Sequence, residues 1–107
     1  MGCAVKRSFA YALEAQNELA DIVRYTARQW GAAQARKYAA QLDAAANDLA
    51  SGQGVFKVWD DVLEGLRVKA VGSHLIFCVV RPGQLPLVLA VLHERMDLMV
   101  RLKGRLG

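Results

Sequence analysis

The sequence has 107 residues, of which 54% are hydrophobic and 22% are charged. These proportions are typical of a globular chain and exclude an intrinsically disordered one. We expect one folded domain, residues 1–107, because single domains commonly contain about 100–150 residues. The formal net charge of +4 favours an anionic partner, such as a nucleic acid or an acidic protein surface.

Cysteine content and the length of apolar runs indicate the compartment. Cys3 and Cys78 are too few for a disulfide framework, which favours a reducing cytoplasm. The longest apolar runs, Leu75–Val80 and Leu87–Leu92, are far shorter than the roughly 20 residues of a membrane-spanning helix. The N-terminal residues lack the apolar core of a secretory signal. We therefore expect a cytoplasmic protein that does not insert into a membrane.

The first predicted elements are a strand and a helix. Apolar and polar residues alternate over Val5–Tyr11, which predicts a short strand with one buried face. From Leu13 the apolar residues recur at helical spacing, and Gly31 is expected to end this helix. We expect Trp30, the last residue of the apolar stripe, to lie in the core. The full stripe is Ala15, Leu19, Ile22, Val23, Thr26 and Trp30.

A second helix is predicted from Ala33 to Ala50. The few residues around Gly31 leave room only for a tight reversal, so the two helices should form an antiparallel hairpin. Its many alanines favour helix and allow close packing. The stripe expected to face the core is Ala35, Tyr38, Leu42, Ala45, Ala46 and Leu49.

The last part of the chain is predicted to form a sheet. Leu66–Val71 alternates apolar and basic residues, which indicates a strand with one solvent-facing side. A turn at residues 72–74 leads to Leu75–Val80, and Arg81–Gln84, with its Pro-Gly pair, joins that run to Leu87–Leu92. Because these two runs do not alternate, they should lie at the centre of the sheet with helices on one side. The order β-α-α-β-β-β predicts an α+β fold, a helical hairpin packed on a small antiparallel sheet.

Several segments carry a resemblance to a known family. Ala15–Gly31 resembles the first helix of ParE toxins, and Gln34–Leu42 resembles their second helix. Gly65–Arg67 and Val71–Phe77 resemble the family core G-x-R … G-x-H-x-I-F-Y, and Val91–Asp97 resembles its closing I-L-H-x-x-M-D. In their order and spacing, these pieces are similar to the ParE branch of the RelE/ParE toxin superfamily.

This resemblance implies the toxin of a type II toxin–antitoxin system. It implies inhibition of DNA gyrase by trapping of the cleaved-DNA intermediate, without catalytic turnover, and neutralisation by a ParD-like antitoxin. Operator DNA is expected as a partner only of the toxin–antitoxin complex. The sequence departs from the family at Leu13, where Pro is usual, and at Cys78, where Tyr is usual. The first change concerns helix capping and the second bears on activity.

One alternative is a ribosome-dependent messenger-RNA endonuclease of RelE type. His93, Glu94 and Arg95 supply a general base and a phosphate-binding cation. Arg67 and Arg81 would complete a metal-free ribonuclease if they converged with His93 at one sheet edge. RelE-type relatives also rely on a tyrosine near the C-terminal end, whereas all three tyrosines here lie in the N-terminal half. A further alternative is a toxin fold that serves as a binding module without toxicity.

Two regions are candidates for binding. Trp59 either anchors a partner or covers the core. The tail after His93 mixes apolar and basic residues, which suits a protein-binding surface, or it folds back on its own domain. We expect the tail to add little to the core, because the sheet is complete at His93. The target-binding candidates are Trp59, Arg67, Arg81, His93, Arg95, Met96, Asp97, Leu98, Met99, Arg101 and Lys103. The antitoxin-binding candidates are Phe56, Val58, Val62 and Leu63.

No cofactor or metal site is expected. The two histidines and two cysteines lack the spacing of metal ligands. Gly52–Gly54 lacks the third glycine or the following lysine of a phosphate-binding loop. His74 is otherwise interpreted as a turn residue, and His93 as a strand-end residue bonded to a loop carbonyl. We therefore assign no catalytic residue.

Overall fold

The computed structural model describes residues 9–96 and 100–102. The α+β fold predicted from the sequence is confirmed. Of the predicted strand Val5–Tyr11, the structure has Ala10–Tyr11, and residues 5–8 lie outside the described part of the chain. The elements in chain order are β1 (Ala10–Tyr11), α1 (Leu13–Trp30), α2 (Ala32–Ser51), β2 (Lys57–Val58), β3 (Leu66–Val71), β4 (His74–Val79) and β5 (Leu87–His93).

A single glycine makes the reversal between the two helices. Gly31 has a φ of 93° and donates its N–H to the Ala27 carbonyl at 2.9 Å, which ends α1. Its own carbonyl accepts the N–H of Ala35 at 3.1 Å, within the first turn of α2. The predicted helical hairpin is thus confirmed. Within the described residues, neither helix is long and apolar enough to cross a lipid bilayer.

The five strands form one mixed sheet in the order β1-β5-β4-β3-β2. β2, β3, β4 and β5 pair antiparallel with one another in this order. This confirms the predicted pairing of β3, β4 and β5, whereas β2 is a strand that the predicted order did not contain. β1 differs from the prediction because it pairs in parallel with β5, Ala10 opposite Leu87. Two residues carry too short a pattern to indicate strand direction. β4 lies at the centre of the sheet, which confirms that the unalternating runs are its inner strands.

Helix α2 covers one face of the sheet with small residues. Its predicted stripe is buried apart from Tyr38, which is half-buried. Alanine side chains let the helix approach the strands closely, so methyl groups and β-branched residues share a dense layer. This helix-side core consists of Phe9, Ala15, Leu42, Ala45, Ala46, Leu49, Ala50, Ile76, Cys78, Val88 and Val91.

Among the described residues, the opposite face of the sheet is covered by loop residues and by the short helical segment 100–102. Half-buried Trp59, Val62 and Leu63 pack against it, and Leu102 fills it with a side chain that is 0% exposed. The expectation that the tail adds little to the core is therefore wrong. A sheet whose inner strands bury apolar residues on both faces needs a second cover, and Leu102 is part of it. The buried residues of this second core are Leu66, Val68, Phe77, Ala90, Leu92 and Leu102.

The expectation that Trp30 is a core residue is also wrong. Its side chain is 74% exposed, whereas Ala15 and Thr26 of the same stripe are buried. α1 has 18 residues and is about 27 Å long. β4 has 6 residues and spans about 20 Å. The last turn of α1 therefore extends past the sheet that its stripe would otherwise face.

Candidate functional site

A cleft of about 760 Å³ opens between the C-terminal half of α1 and one end of the sheet. It lies where β4 begins and β5 ends, since His74 pairs with His93 in the β4–β5 register. Tyr25, Trp30 and Met96 line it and keep much of their apolar surface exposed. The cleft therefore combines half-buried histidines with an apolar rim, as ligand sites commonly do.

Tyr38 brings helix α2 into contact with the start of β4. Its hydroxyl donates to the Val71 carbonyl at 3.1 Å and lies 2.6 Å from Nδ1 of His74. Gly72 makes this approach possible. A Cβ at that position would lie 2.8 Å from the Tyr38 hydroxyl, and its φ of 56° is one that glycine adopts without strain.

His93 lies beside His74 at the end of β5. The two imidazole rings are nearly perpendicular, with centroids 5.3 Å apart. Nδ1 of His93 accepts the backbone N–H of Arg95 at 3.1 Å, and the N–H of Glu94 donates to the Ser73 carbonyl at 2.8 Å. These two bonds hold the residues after β5 against the turn that precedes β4.

The side chains of Tyr38 and His74, which both line the cleft, are neutral near pH 7. Burial lowers the pKa of His74 below its ordinary value, and the adjacent His93 lowers it further, against a smaller opposing effect of Glu94. Burial raises the pKa of the Tyr38 hydroxyl, although its hydrogen bonding to Ser73 opposes that shift. Tyr38 and His74 therefore act as hydrogen-bonding groups, rather than as a phenolate and an imidazolium.

The predicted convergence of Arg67 and Arg81 with His93 is wrong. Arg67 lies at the start of β3 opposite Cys78, and Arg81 follows the end of β4. Both positions lie toward the end of the sheet away from the cleft. Cys78, opposite Arg67, is about 13 Å along β4 from His74, and Arg81 lies beyond the end of β4. β3 and β5 are both antiparallel to β4, so they run in the same direction. Arg67 near the start of β3 and His93 at the end of β5 therefore lie toward opposite ends of the sheet.

Arg67 is also engaged within the fold. Its Nη1 donates to the Leu49 carbonyl at 2.9 Å, at the C-terminal end of α2. Its guanidinium carbon lies 5.0 Å from the centre of the Phe56 ring. A cation at a helix C-terminus satisfies carbonyls that lack partners within the helix. Arg81, in contrast, is exposed in the turn before β5.

Trp59 covers the core. Its ring centroid lies 5.9 Å from that of the buried Phe77, and Val62 and Leu63 are half-buried beside it. Among the antitoxin-binding candidates, Phe56 is half-buried beneath Arg67 and packs against the helix-side core. Val58 differs, because it lies on the edge strand β2 and is 55% exposed.

The structure describes only part of the tail. Arg95 and Met96 are exposed directly after β5, where Met96 lines the cleft. Arg101 is exposed beside the buried Leu102. The remaining predicted target-binding residues, which are Asp97, Leu98, Met99 and Lys103, lie outside the described residues.

Comparison with known proteins identifies the family. The protein-family model for the ParE toxin of type II toxin–antitoxin systems (parDE) matches residues 9–98. The chain belongs to the ParE toxin family. Toxin ParE of Escherichia coli is 48% identical over 93 residues, which cover 87% of this chain and 90% of that protein. Toxin ParE1 of Caulobacter vibrioides is 34% identical over 83 residues, covering 78% of this chain and 84% of that one.

The resemblance seen in the sequence is thereby confirmed, and the chain is a toxin of a type II toxin–antitoxin system. Membership of the ParE family implies an antitoxin partner. A Toxin ParE1 of Mycobacterium tuberculosis, 34% identical over 83 residues, covers 78% of this chain and 85% of its own length. The family match over residues 9–98 includes the cleft and both cores apart from Leu102.

Cys78 is buried in the helix-side core of the toxin. Burial raises the pKa of its thiol to about 11, with a small opposing effect of Arg67. The residue therefore packs as a small apolar side chain. It provides no exposed hydroxyl where ParE sequences usually have tyrosine.

Sequence reasoning missed the cleft itself. Tyr38 was predicted as part of the α2 stripe and His74 as a turn residue, which separated two side chains that meet at 2.6 Å. Gly72 carried a usable signal for one register, since a glycine at the first position of a two-residue hairpin turn fixes the register of the two strands that it joins. That turn places His74 opposite Val71. The pairing of His74 with His93 depends instead on the longer connection between β4 and β5.

Proposed function

We propose that this ParE toxin inhibits DNA gyrase by trapping its cleaved-DNA intermediate, without catalytic turnover by the toxin. The observation that carries the proposal is the family match over residues 9–98, with 48% identity to Toxin ParE of Escherichia coli. A ParD-like antitoxin would neutralise the toxin in the cytoplasm. Operator DNA would be contacted only by the toxin–antitoxin complex.

The separation of the arginines supports binding without catalysis. An RNA-cleaving site needs its base and its phosphate-binding cations within hydrogen-bond reach of the same reacting atoms. Arg67 and Arg81 lie at the end of the sheet away from His93, and Arg67 holds a carbonyl of α2. Arg95 stays beside His93, but Arg67 and Arg81 do not, so the full set for a RelE-type ribonuclease is not assembled in one place.

For contact with the gyrase–DNA complex, we propose the exposed residues around the end of β5 and the tail. Arg95 and Arg101 supply exposed cations, and His93 and Met96, on either side of Arg95 in the chain, line the cleft. Cations at this position suit the phosphates of bound DNA or an acidic protein surface. The tail residues Asp97, Leu98, Met99 and Lys103 belong to the same proposal.

For the antitoxin, Val58 is the predicted contact that the fold leaves most accessible, on the exposed edge strand β2. Phe56, Val62 and Leu63 would contribute indirectly, because their packing shapes the surface beside that strand. An antitoxin that binds only the folded toxin stabilises it by mass action. The melting temperature of the toxin should therefore rise with antitoxin concentration.

A gyrase assay with purified proteins tests the proposal. Gyrase, relaxed plasmid and ATP are mixed with increasing toxin, and the reaction is stopped with detergent and protease. We expect supercoiling to fall and linear plasmid to accumulate, both reversed by prior addition of the ParD-like antitoxin. Unchanged supercoiling at a large excess of folded toxin, together with cleavage of ribosome-bound messenger RNA, would establish the endonuclease instead.

His93→Ala separates the two mechanisms within the same assay. Loss of one binding contact costs about 1–2 kcal/mol, so we expect inhibition about tenfold weaker but still complete at high toxin concentration. Loss of a catalytic base would lower the rate by a factor on the order of 10²–10⁴ at every toxin concentration. A melting curve for the variant confirms that the comparison is between folded proteins.

A further inference from the structure

The two histidines of the cleft carry ring nitrogens that the fold does not use. Among the described residues, Nδ1 of His74 contacts the Tyr38 hydroxyl and Nδ1 of His93 accepts the N–H of Arg95. No hydrogen bond from either Nε2 atom to another described residue is present. Both residues line the cleft, so we infer that these two nitrogens can bind a group placed there.

The hydrogen bonds of Tyr38 determine the tautomer of His74. A tyrosine hydroxyl has one proton to donate. Tyr38 contacts the Val71 carbonyl and Nδ1 of His74 together, at 3.1 Å and 2.6 Å. Both bonds form at once only if Tyr38 donates to Val71 and the His74 Nδ1–H donates to Tyr38. Nε2 of the neutral His74 is then a hydrogen-bond acceptor.

His93 has the opposite arrangement. Its Nδ1 accepts the backbone N–H of Arg95 at 3.1 Å, so this nitrogen carries no proton. In the neutral imidazole the proton then lies on Nε2, which becomes a donor. The ring centroids of His74 and His93 are 5.3 Å apart, so an acceptor and a donor stand side by side.

We propose that His74 and His93 form a recognition subsite for a carboxamide, supplied by an asparagine or glutamine side chain of the antitoxin. The amide N–H donates to Nε2 of His74, and the amide oxygen accepts from Nε2–H of His93. One primary amide offers a donor nitrogen and an acceptor oxygen, both bonded to the same carbon, as this pair requires. The inference rests on the proposed antitoxin partner.

Charged groups fit the subsite less well. A carboxylate would place an oxygen against the acceptor nitrogen of His74, with Asp21 also lining the cleft and Glu94 next to His93. An ammonium group would place its protons against the donor of His93. A neutral amide satisfies both histidines without transfer of a charge into a half-buried site.

The composition of the cleft favours the antitoxin over the gyrase–DNA complex as the source of the amide. The described lining includes Asp21 but neither lysine nor arginine, so it lacks the cations that dominate binding to DNA phosphates. Its rim instead exposes Tyr25 and Trp30, by 60% and 74%. Exposed aromatic residues around neutral polar groups suit a polypeptide that covers them.

The tautomers are tested directly by NMR of the wild-type toxin labelled with ¹⁵N-histidine. Long-range ¹H–¹⁵N correlations at pH 7.5 distinguish protonated from unprotonated ring nitrogens. We expect the proton on Nδ1 for His74 and on Nε2 for His93. If either histidine shows the other tautomer, the acceptor–donor pair does not exist and the proposal is overturned.

The ligand is tested by calorimetric titration with the ParD-like antitoxin encoded in the neighbouring reading frame. His74→Asn keeps a donor for Tyr38 but removes the Nε2 acceptor, and His93→Asn keeps an acceptor for Arg95 but removes the Nε2 donor. We expect each to weaken binding about tenfold, the effect of one well-formed hydrogen bond. His74→Gln, whose amide oxygen reaches the Nε2 position, should recover part of the affinity. Leu85→Asn, exposed in the distant turn, should leave it unchanged.

The coupling partner on the antitoxin identifies the amide. Alanine substitution of the antitoxin asparagines and glutamines should find one variant that is non-additive with His74→Asn in a double-mutant cycle. If wild-type toxin fails to bind the antitoxin, the proposed partner itself is wrong. If wild-type toxin binds tightly and both asparagine variants match it within twofold, only the amide subsite is overturned. If the two asparagine variants bind the antitoxin normally but no longer inhibit gyrase, the two histidines contact gyrase instead, and the proposal is overturned as well.

Discussion

Both ends of the sheet contain polar side chains, but these side chains form different kinds of contacts at the two ends. At the end where β3 begins, Arg67 donates to a carbonyl of α2, and the N–H of Gly65 donates to Asp60 Oδ1 at 2.9 Å. At the cleft end, His74 and His93 are bonded through Nδ1, and their Nε2 atoms make no hydrogen bond to another described residue. One end therefore maintains the fold, and the other retains unused hydrogen-bonding capacity.

This difference bears on how the toxin acts. Groups that cleave RNA would have to meet at one point, yet Arg67, one of the arginines considered for phosphate binding, is bonded into the structural end. The cleft end offers neutral donors, acceptors and exposed aromatic rings, which are features of recognition. The contrast between the ends favours a toxin that works by holding its target.

The largest effect is expected at the structural end, from Gly65→Ala. A Cβ there would lie 2.2 Å from the Val80 carbonyl oxygen, and the φ of 84° strains any other residue. We expect the free energy of unfolding to fall by about 3 kcal/mol, from steric displacement and backbone strain together. Gly83→Ala is the matched control, because its φ is 74° but nothing lies within 4 Å of the added Cβ. Urea unfolding of both variants checks this, and equal losses would contradict it.

Leu102→Ala should have the next largest effect. The side chain is 0% exposed in the core opposite the helices, and truncation of a buried leucine costs about 2–4 kcal/mol. Val100→Ala removes methyl groups from a side chain that is 65% exposed, so its effect should stay within about 0.5 kcal/mol. Thermal unfolding compares the pair. A Leu102→Ala protein as stable as wild type would show that the tail lies outside the core.

Arg67→Met should destabilise the toxin by about 2 kcal/mol. The substitution removes a charged hydrogen bond to Leu49 and the cation over the Phe56 ring. Arg81→Met, at an exposed position of the same end, should change stability by less than about 0.5 kcal/mol. Should the two variants unfold at the same urea concentration, Arg67 would not be the structural residue described above.

The smallest effect is a pH dependence at the cleft end. Because burial lowers the pKa of His74, the unfolded chain binds a proton more readily than the folded toxin does at mildly acid pH. Stability from this residue is therefore intact at pH 7 and lost as the pH falls through the ordinary histidine range. His74→Asn should show a shallower decline between pH 7 and pH 5, measured by urea unfolding. Parallel profiles for the two proteins would contradict the assigned pKa direction.

Local patterns in the sequence were sufficient for the regular elements. The α2 stripe, the reversal at Gly31 and the Pro82–Gly83 turn each depend on residues close in the chain. The Gln84 N–H donates to the Arg81 carbonyl at 3.2 Å, which closes that turn around Gly83 with its φ of 74°. Such features follow from backbone preferences and periodicity alone.

The residues whose positions were wrongly predicted depend on contacts between segments far apart in the chain, which local sequence patterns do not specify. Trp30 is exposed because α1 is longer than the strands beneath it, and Leu102 is buried because the second face needs a cover. Arg67 and Arg81 are separated from His93 by the order and direction of the strands. A prediction of the individual strands does not specify how they pair. The family motifs were recognised nonetheless, because they depend on order and spacing along the chain.

The stoichiometry of gyrase inhibition tests most directly whether the toxin holds its target or cuts a substrate. A fixed amount of gyrase is titrated with folded wild-type toxin, and trapped cleaved DNA is measured after short and long incubations. A binding inhibitor predicts that trapped complexes rise in proportion to toxin, reach a plateau near one toxin per target site and do not increase with time. Continued inactivation by toxin at far less than one molecule per gyrase would show turnover and contradict the proposed mechanism.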